Sequence, residues 1–540
     1  MWKLFWWCLA FRVFNALVVR TYFDPDEFWQ GSEVAHKIAF GYGHLTWEWA
    51  AGLRSILYPM MLSLAYWPLK IFSLDAPWAV AFAPRLLQSI FAALSDVHVH
   101  GVSKKIFGKE TARFALLCQL ACWFNFYCSV RTFSNSMEAC LTIVAFYHWP
   151  SLTSKYDGTS NAPRSDWGRP LAIFVAGCCV VMRPTSAMLW IPIGLLEIFR
   201  SRKRLQFVIE VISLAVVVVG ASLAADRWFY ERFVFPPWQF FKINQVDGVA
   251  VLYGSHPWHW YFTQGLPAML GPLIFIFPFA VWWASGKREI AGWAMWYLLC
   301  HSFIGHKEFR YVYPAVLLCM PFCGYALQKL QPASKKGGKK DDDFASGVSR
   351  ISKEKTPKSA VWKAAVFVVI GLQIPFMVFF SVFHQRGTIS AVDYLGGLPD
   401  GELQSVLFLL PCHSMPLYSY LHKKNVPMRF LDCSPPGWAR SVAEMNLDLG
   451  TTQHPELVPP CTPQSCVSES DVFRSNSRAW LEGYFSQNAT PPSHIVGCDS
   501  TLSKSWAVLE QKAFQTAATF FNSHFDLYGW ECNNVIVLAK

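Results

Sequence analysis

The sequence contains few charged residues for its length. Only 15% of its 540 residues are Asp, Glu, Lys or Arg, while 53% are hydrophobic and 16% are aromatic. An average soluble domain carries roughly 25% charged residues. A soluble fold built from this composition would lack the polar side chains needed to cover its surface. The composition therefore excludes an ordinary soluble protein and indicates that much of the folded surface faces lipid.

Two further absences exclude other classes of protein. No Cys-X-X-Cys spacing occurs, so the usual cysteine signature of a zinc site is missing. No repeat of fixed length occurs either, which argues against a solenoid fold. The net charge is +11, but the basic residues lie in short loops between apolar stretches rather than along one surface. We therefore expect no nucleic-acid partner. The sequence indicates membrane lipids as neighbours and identifies no protein partner.

Apolar stretches predict about eleven transmembrane helices in a polytopic α-helical protein. The first stretch lacks the small residues that precede a signal-peptide cleavage site, so we expect it to be retained. The predicted spans are 1–19, 77–99, 111–130, 136–150, 168–183, 185–199, 205–225, 266–285, 290–304, 311–330 and 361–383.

The distribution of Lys and Arg orients these spans. With the N-terminus in the cytosol, nearly every basic cluster falls on the cytosolic side, as the positive-inside rule requires. Residues 1–383 then form a membrane bundle with luminal loops at about 20–76 and 226–265. The charged segment 331–360 becomes a disordered cytosolic loop, and residues 384–540 lie in the lumen.

The C-terminal segment 384–540 differs in kind from the bundle. It has a soluble composition, short β-like runs and six of the 16 cysteines. An even set of cysteines predicts disulfides in an oxidising compartment, with their pairing left open. The single glycosylation sequon, Asn488-Ala489-Thr490, also lies here. We predict a small luminal mixed α/β domain, glycosylated at Asn488.

Acidic residues follow the first span. Asp24, Asp26 and Glu27 place three carboxylates within four residues. Such carboxylates repel one another, so at least one should be easily protonated. A helix N-cap is the alternative interpretation for Asp24.

Three other polar groups lie at the same predicted membrane face. Glu48 stands between Trp47 and Trp49, with Arg54 following, and indole faces can stack on sugar rings; an interfacial tryptophan belt is the alternative. Arg131 and Arg183 interrupt apolar segments, where an ionisable residue suggests function, although helix capping or a proline kink is also possible.

The densest polar motif is His306-Lys307-Glu308-Phe309-Arg310. Two permanent cations and a histidine could hold a phosphate through charge-assisted hydrogen bonds. The alternative is a set of side chains that reach from the helix end to the membrane surface. That alternative requires neither Glu308 nor His306.

Together these motifs resemble the dolichol-phosphate-mannose-dependent mannosyltransferases, glycosyltransferase family 22. The resemblance runs from about Thr21 to Pro314 and more weakly into the tail. The segments that carry it read, in order, PDEFWQ, LTWEWAAGLRS, RTFSNSMEACLTI, MRPTSA, YGSHPWHWYFTQGLP and HKEFRYVYPAV. The YGSHPWHWYF block resembles the branch that adds the third mannose of the glycosylphosphatidylinositol (GPI) anchor. The resemblance implies a GT-C fold with a luminal active site in the endoplasmic reticulum membrane.

The resemblance also implies roles for individual residues. Asp26 would be the catalytic base with Glu27 as its partner, and His306, Lys307 and Arg310 would bind the donor phosphate. No metal or cofactor is expected beyond the donor dolichol-phosphate-mannose, and the acceptor would be a lipid-linked GPI precursor. The expected substrate-binding residues are Trp47, Glu48, Trp49, Arg54, Arg131, Arg183, His256, Trp258, His259 and Glu308.

Other functions stay open at the level of sequence. Within the same class, the acceptor could be the N-glycan dolichol precursor or the GPI precursor that receives the fourth mannose. A polytopic lipid or solute transporter is the alternative from another class. A transporter predicts charges near mid-membrane and two halves with matching hydropathy, whereas the charges here cluster at one face.

Overall fold

The computed structural model describes residues 2–149, 167–250, 254–331, 357–399, 401–435, 446, 468–488, 490–525 and 530–540. Residues 332–356 of the predicted cytosolic loop lie outside the described residues, as do Cys461 and Cys466. The rest of the chain is mostly helical up to residue 396 and carries a five-stranded sheet after it.

The α-helices before the sheet are Trp2–Val18, Glu33–Phe40, Trp47–Ala50, Leu57–Ser63, Tyr66–Ile71, Pro77–Phe107, Lys109–Ala121, Trp123–Cys128, Ser134–His148, Gly168–Met182, Ala187–Arg200, Arg204–Tyr230, Pro236–Phe241, Leu266–Leu270, Phe277–Trp283, Glu289–Ser302, Tyr313–Leu330, Pro357–Gly371, Gln373–Val378 and Gly387–Gly396. Short 3₁₀ or π turns join several of them, at Phe28–Ser32, Pro184–Ser186, Lys242–Val246, Tyr261–Gly265, Gly271–Phe275, Phe309–Val312 and Phe379–Phe383.

Several of these helices suit a membrane. Within the described ranges, four are long and apolar enough to cross one, namely Pro77–Phe107, Arg204–Tyr230, Phe309–Leu330 and Trp362–Gly396. A fifth span results if Tyr261–Phe275 and Phe277–Trp283, bent by 70°, are taken as one. Helices occupy the other predicted stretches too, but they are shorter. The protein is thus a membrane protein with several apolar helices, and the number of eleven crossings stays a prediction.

A buried ion pair fastens the first helix to the bundle. Both Arg12 and Asp96 are fully buried, and two hydrogen bonds of 2.7 Å join the guanidinium to the carboxylate. Arg12 also donates to Asn15 and to Ser129, and Gln119 donates to Asp96 at 3.0 Å. Because both charges are paired and hydrogen-bonded, Arg12 is compatible with an apolar helix. The first helix is therefore part of the folded core.

The C-terminal segment forms a mixed sheet. Its strands are β1 Val406–Leu409, β2 Met428–Phe430, β3 His494–Cys498, β4 Gln515–Phe521 and β5 Asn534–Ala539, in the order β2-β1-β3-β5-β4. Strand β1 runs parallel to β2 and β3, while β5 is antiparallel to β3 and β4. Helices Tyr418–Leu421, Glu469–Ser475, Ser477–Gln487, Asp499–Lys504 and Trp506–Gln511 accompany the sheet. Disulfides Cys412–Cys433 and Cys498–Cys532 join four of the six predicted cysteines.

This sheet domain packs on the loop that follows the first helix. The fully buried Glu33 carboxylate accepts hydrogen bonds from the backbone N–H groups of Leu417, Tyr418 and Ser419 at 2.7 to 3.1 Å, and from the Ser419 hydroxyl at 2.7 Å. Four donors on one buried carboxylate compensate much of its lost hydration. Glu33 therefore anchors the C-terminal domain to the first loop.

We expect Arg12→Leu to lower the free energy of unfolding by about 3–5 kcal/mol, because it leaves Asp96 charged and unpaired inside the bundle. Thermal unfolding of the detergent-solubilised protein measures the loss. The exposed pair Arg113–Glu110, at 3.3 Å, supplies the matched control, since Arg113→Leu should cost about 1 kcal/mol or less. Equal losses in the two variants would contradict the assigned role of Arg12.

Candidate active site

Arg310 brings together carboxylates from two distant parts of the chain. Its guanidinium contacts Asp26 through Nη1, Glu308 through Nε and Asp24 through Nη2, the last at 3.1 Å. Arg310 is 4% exposed, whereas the side chains of Asp24, Asp26 and Glu308 are 16%, 21% and 23% exposed. The cation thus lies beneath a layer of carboxylates that solvent or a ligand can reach. We call these four residues the Arg310 cluster.

The carboxylates of the Arg310 cluster do not hold protons equally. Burial raises the pKa of Asp24 well above its usual range, and the charges of Glu308 and Asp26 add to this effect against Arg310. Burial also opposes ionisation of Glu308, but Arg310 and a hydrogen bond from His306 outweigh it and lower the pKa of Glu308. Burial therefore favours the protonated form of Asp24, whereas the contact with Arg310 favours the ionised form of Glu308.

His306 and Lys307 line the same loop but make different contacts. His306 Nε2 lies 2.7 Å from Glu308 Oε1; burial opposes the charged imidazole, but this contact prevails and raises the pKa of His306. The Lys307 ammonium, 3% exposed, donates to the carbonyls of Ile304 and His256 at 2.5 and 2.8 Å. In this structure Lys307 braces the loop, so its predicted phosphate contact stays a prediction.

The segment that contains His256, Trp258 and His259 lies against this loop. His306 Nδ1 is 2.9 Å from the Gly254 carbonyl, and the His256 ring stacks on Trp260 with centroids 4.7 Å apart. His256, Trp258 and His259 are exposed. These side chains are therefore accessible, and their predicted contact with substrate stays a prediction.

Glu27 lies away from Asp26, which corrects the expected pairing of these two acids. The Glu27 carboxylate is fully buried between Arg85 and Arg131, at 2.9 and 2.6 Å. Arg131 also donates to the Thr21 carbonyl at 2.7 Å and is itself fully buried. Glu27 and Arg131 therefore stabilise the loop from inside, and neither reaches the space above the Arg310 cluster.

The Trp-Glu-Trp motif divides into a polar and a packing part. Glu48 pairs with Arg54 at 2.7 Å and accepts a hydrogen bond from Gln30 at 2.9 Å. Trp47 is 6% exposed and Trp49 is fully buried. The expected stacking of both indoles on sugar is wrong for this structure, because their ring faces are covered by apolar neighbours.

Arg183 is held near the Arg310 cluster by two buried residues, Glu138 and Asn135. It pairs with Glu138 at 3.0 Å and donates to Asn135 at 3.0 Å, and Asn135 in turn donates to the Arg310 carbonyl at 3.1 Å. The Arg183 guanidinium also lies 5.6 Å from the centre of the Tyr311 ring. Arg183 therefore supports the backbone that carries Arg310.

Two features near the site were not predicted from the sequence. Arg85, which holds Glu27, lies inside a predicted span, where a charge indicates a buried partner or a function. His413, from the C-terminal domain, packs its ring against Trp29 with centroids 4.9 Å apart, and nothing in the local sequence signals this contact.

Asn488 is half-buried and donates to the Tyr484 carbonyl at 2.8 Å, and its glycosylation stays a prediction.

The order of these motifs along the chain agrees with a known family. The model of the Alg9-like mannosyltransferases matches residues 3–422, which include the whole Arg310 cluster. The chain belongs to this family. Membership of the Alg9-like mannosyltransferases confirms the resemblance inferred from the six motifs.

Individual relatives of this Alg9-like chain match along nearly its full length. It is 38% identical over 536 residues to Mannosyltransferase APTG1 of Arabidopsis thaliana, covering 97% of this chain and 89% of the relative. It is 32% identical over 525 residues to GPI alpha-1,2-mannosyltransferase 3 of Mus musculus, covering 96% and 85%.

A solved structure shares the fold. The crystal structure of ArnT from Cupriavidus metallidurans bound to undecaprenyl phosphate superposes with a TM-score of 0.56 at 11% identity, covering 98% of this chain and 96% of ArnT. At this identity the likeness concerns the fold alone. Together with the apolar helices, it confirms the expected GT-C architecture in outline.

Glu27→Gln should destabilise the protein more than Asp26→Asn. The first change leaves the buried Arg85 and Arg131 without a counter-charge, which costs about 3–5 kcal/mol. In the second variant Arg310 keeps two carboxylates, so we expect about 1 kcal/mol or less. Thermal unfolding of the two variants under identical conditions makes the comparison, and a larger loss for Asp26→Asn would contradict the separation of the two acids.

Proposed function

We propose that this chain transfers mannose from dolichol-phosphate-mannose to a lipid-linked acceptor, adding the third, α-1,2-linked mannose of the GPI-anchor precursor. Support comes from relatives that carry this activity in their names and match nearly the whole chain, including GPI alpha-1,2-mannosyltransferase 3 of Mus musculus. The observation that carries the mechanism is the Arg310 cluster, where a buried cation and accessible carboxylates meet at one place.

Arg310 and His306 are the proposed holders of the donor phosphate. A guanidinium fork suits phosphate oxygens, and an imidazolium adds a second donor beside it. In the structure Arg310 is paired with Asp26, Asp24 and Glu308. A phosphate that binds Arg310 would compete with Asp26, because both are anions that need the same N–H groups.

Asp26 is the proposed general base. When a phosphate takes its place on Arg310, the Asp26 carboxylate leaves this ion pair and becomes available to the acceptor hydroxyl. Asp26 then takes the proton of the acceptor hydroxyl while that oxygen forms a bond to the anomeric carbon of mannose. The bond from this carbon to the phosphate oxygen breaks, and dolichol phosphate leaves with the electron pair. Attack from the opposite face converts the β-linked donor into an α-linked product.

The proposed site faces the lumen of the endoplasmic reticulum. The C-terminal domain contacts the first loop through Glu33 and Ser419, so both lie on one side of the membrane. Disulfides Cys412–Cys433 and Cys498–Cys532 favour an oxidising compartment on that side. We accordingly propose residues 1–383 as the catalytic bundle and 384–540 as a luminal domain.

An assay of the purified protein with dolichol-phosphate-mannose tests this function. We expect mannose transfer to a GPI precursor that carries two mannoses. The N-glycan dolichol precursor and the GPI precursor that already carries three mannoses serve as matched acceptors, and neither should be extended. Preferential transfer to either of these controls would overturn the proposed acceptor, and absence of transfer to all three would overturn the function.

Asp26→Asn should lower the transfer rate by at least about 100-fold, the usual cost of losing proton transfer. The side chain keeps its shape, so the protein should stay folded and bind both lipids. Asp24→Asn is the matched control, since it leaves Asp26 in place and should be milder. If Asp26→Asn retains the wild-type rate, the base lies elsewhere, and Glu48 is the next candidate.

A further inference from the structure

Trp29, three residues after Asp26, is enclosed by the C-terminal domain. Its indole Nε1 donates to the His413 carbonyl at 3.0 Å, and its ring lies 4.9 Å from the His413 ring and 5.4 Å from the Phe430 ring, centroid to centroid. Only 3% of Trp29 is exposed. We call the contact of Trp29 with His413 and Phe430 the Trp29 clasp.

The two halves of the clasp come from the ends of neighbouring strands. His413 follows β1 and Phe430 ends β2, and these strands are parallel, so their carboxyl ends lie at one edge of the sheet. That edge is where open α/β sheets generally present functional loops. The Cys412–Cys433 disulfide joins the residue before His413 to the third residue after Phe430, and it therefore limits the separation of these two segments around the indole.

His413 needs such a constraint. Its backbone has φ of +54°, in the left-handed region that costs free energy for a residue with a Cβ atom. This conformation directs the His413 carbonyl towards Trp29. The Cys412–Cys433 disulfide next to His413 hinders this segment from relaxing into an ordinary extended conformation.

Trp29 transmits its position to Asp26 through the backbone. The N–H groups of Phe28 and Trp29 both donate to the Pro25 carbonyl at 3.1 Å, so the turn that contains Asp26 is closed on Trp29. The Trp29 carbonyl is also fixed, because the Trp49 indole donates to it at 3.0 Å. A shift of Trp29 therefore moves the turn that sets the Asp26 carboxylate against Arg310.

We propose that the Cys412–Cys433 disulfide is a positioning element of the transfer site, which acts through the Trp29 clasp on Asp26. The inference rests on the proposed mannosyltransferase function and deepens it. Attachment of the C-terminal domain does not depend on the clasp, because Glu33 holds residues 417–419 independently. Loss of the disulfide thus alters the geometry at Asp26 while the domain stays docked.

The second disulfide provides a matched control. Cys498–Cys532 lies in the same domain and spans 34 residues, against 21 for Cys412–Cys433, but it joins the end of β3 to the segment before β5, and neither of its cysteines adjoins His413 or Phe430 in sequence. Removal of either disulfide raises the entropy of the unfolded chain to a similar degree. Only removal of Cys412–Cys433 should affect Trp29.

The test compares the double variants C412S/C433S and C498S/C532S in the mannose-transfer assay, with thermal unfolding measured on each. We expect kcat to fall at least 10-fold for C412S/C433S, with a change in donor KM under 3-fold, because small misplacements of a reacting group have large effects on rate. C498S/C532S should keep kcat within 3-fold of wild type. Equal kcat for the two variants would overturn the inference.

A second comparison separates positioning from general loosening of the fold. Trp29→Phe removes the hydrogen bond to the His413 carbonyl while keeping an aromatic ring. If the disulfide acts through Trp29, the combined variant W29F/C412S/C433S loses no more kcat than the larger of the two separate losses. Multiplicative losses would overturn the inference.

Failure of the proposed function gives a different result. Wild-type protein that transfers no mannose to any acceptor overturns the function, and the inference falls with it. Wild-type transfer accompanied by unchanged kcat in C412S/C433S overturns the inference alone.

Discussion

The pairing of Arg310 with three carboxylates joins segments as far apart as Asp26 and Arg310, which are separated by 284 residues, and the organisation of the site depends on this cluster. A buried guanidinium is costly unless several acceptors surround it. Arg310 obtains these acceptors from the first loop and from its own segment, His306–Arg310. Its burial therefore holds these two parts of the chain together. The same requirement makes the site responsive to an incoming anion, because a phosphate can replace a carboxylate without leaving the cation unpaired. In the proposed mechanism, structural stability and phosphate binding therefore use the same N–H groups.

The other buried ion pairs have a different character. Arg12–Asp96 and Glu27 with Arg85 and Arg131 are closed on all sides, with side chains that are at most 3% exposed. In the Arg310 cluster the cation is buried and its carboxylates are partly exposed. Partial exposure of the carboxylates, rather than the presence of a buried charge, distinguishes the Arg310 cluster from the ion pairs that hold helices together.

Sequence reasoning placed Asp26 and Arg310 among the candidate residues, and the structure brings these two together, but other candidates lie elsewhere than expected. Asp26 and Arg310 were predicted from motif chemistry, and the helical bundle with a mixed α/β tail followed from hydropathy and composition. Glu27 was wrong as the partner of Asp26 because adjacent residues in a helical turn point in different directions, a rule that the sequence alone could have supplied. The predicted stacking of Trp49 on sugar was wrong because composition does not distinguish an indole at the membrane interface from one in the core. The contact between His413 and Trp29 spans 384 residues, and no local pattern encodes it.

The anchoring of Glu33 by residues 417–419 has a consequence for biosynthesis. The first loop enters its compartment early, while the residues that receive the Glu33 carboxylate are made only after nearly all spans have been inserted. Until then, the carboxylate must remain hydrated and the turn at Asp26 lacks its cover. The enzyme thus completes its site last, so that a ribosome-bound or truncated chain holds the catalytic motifs without their final arrangement. Under the proposed mechanism, folding of the C-terminal domain is therefore a precondition for sugar transfer.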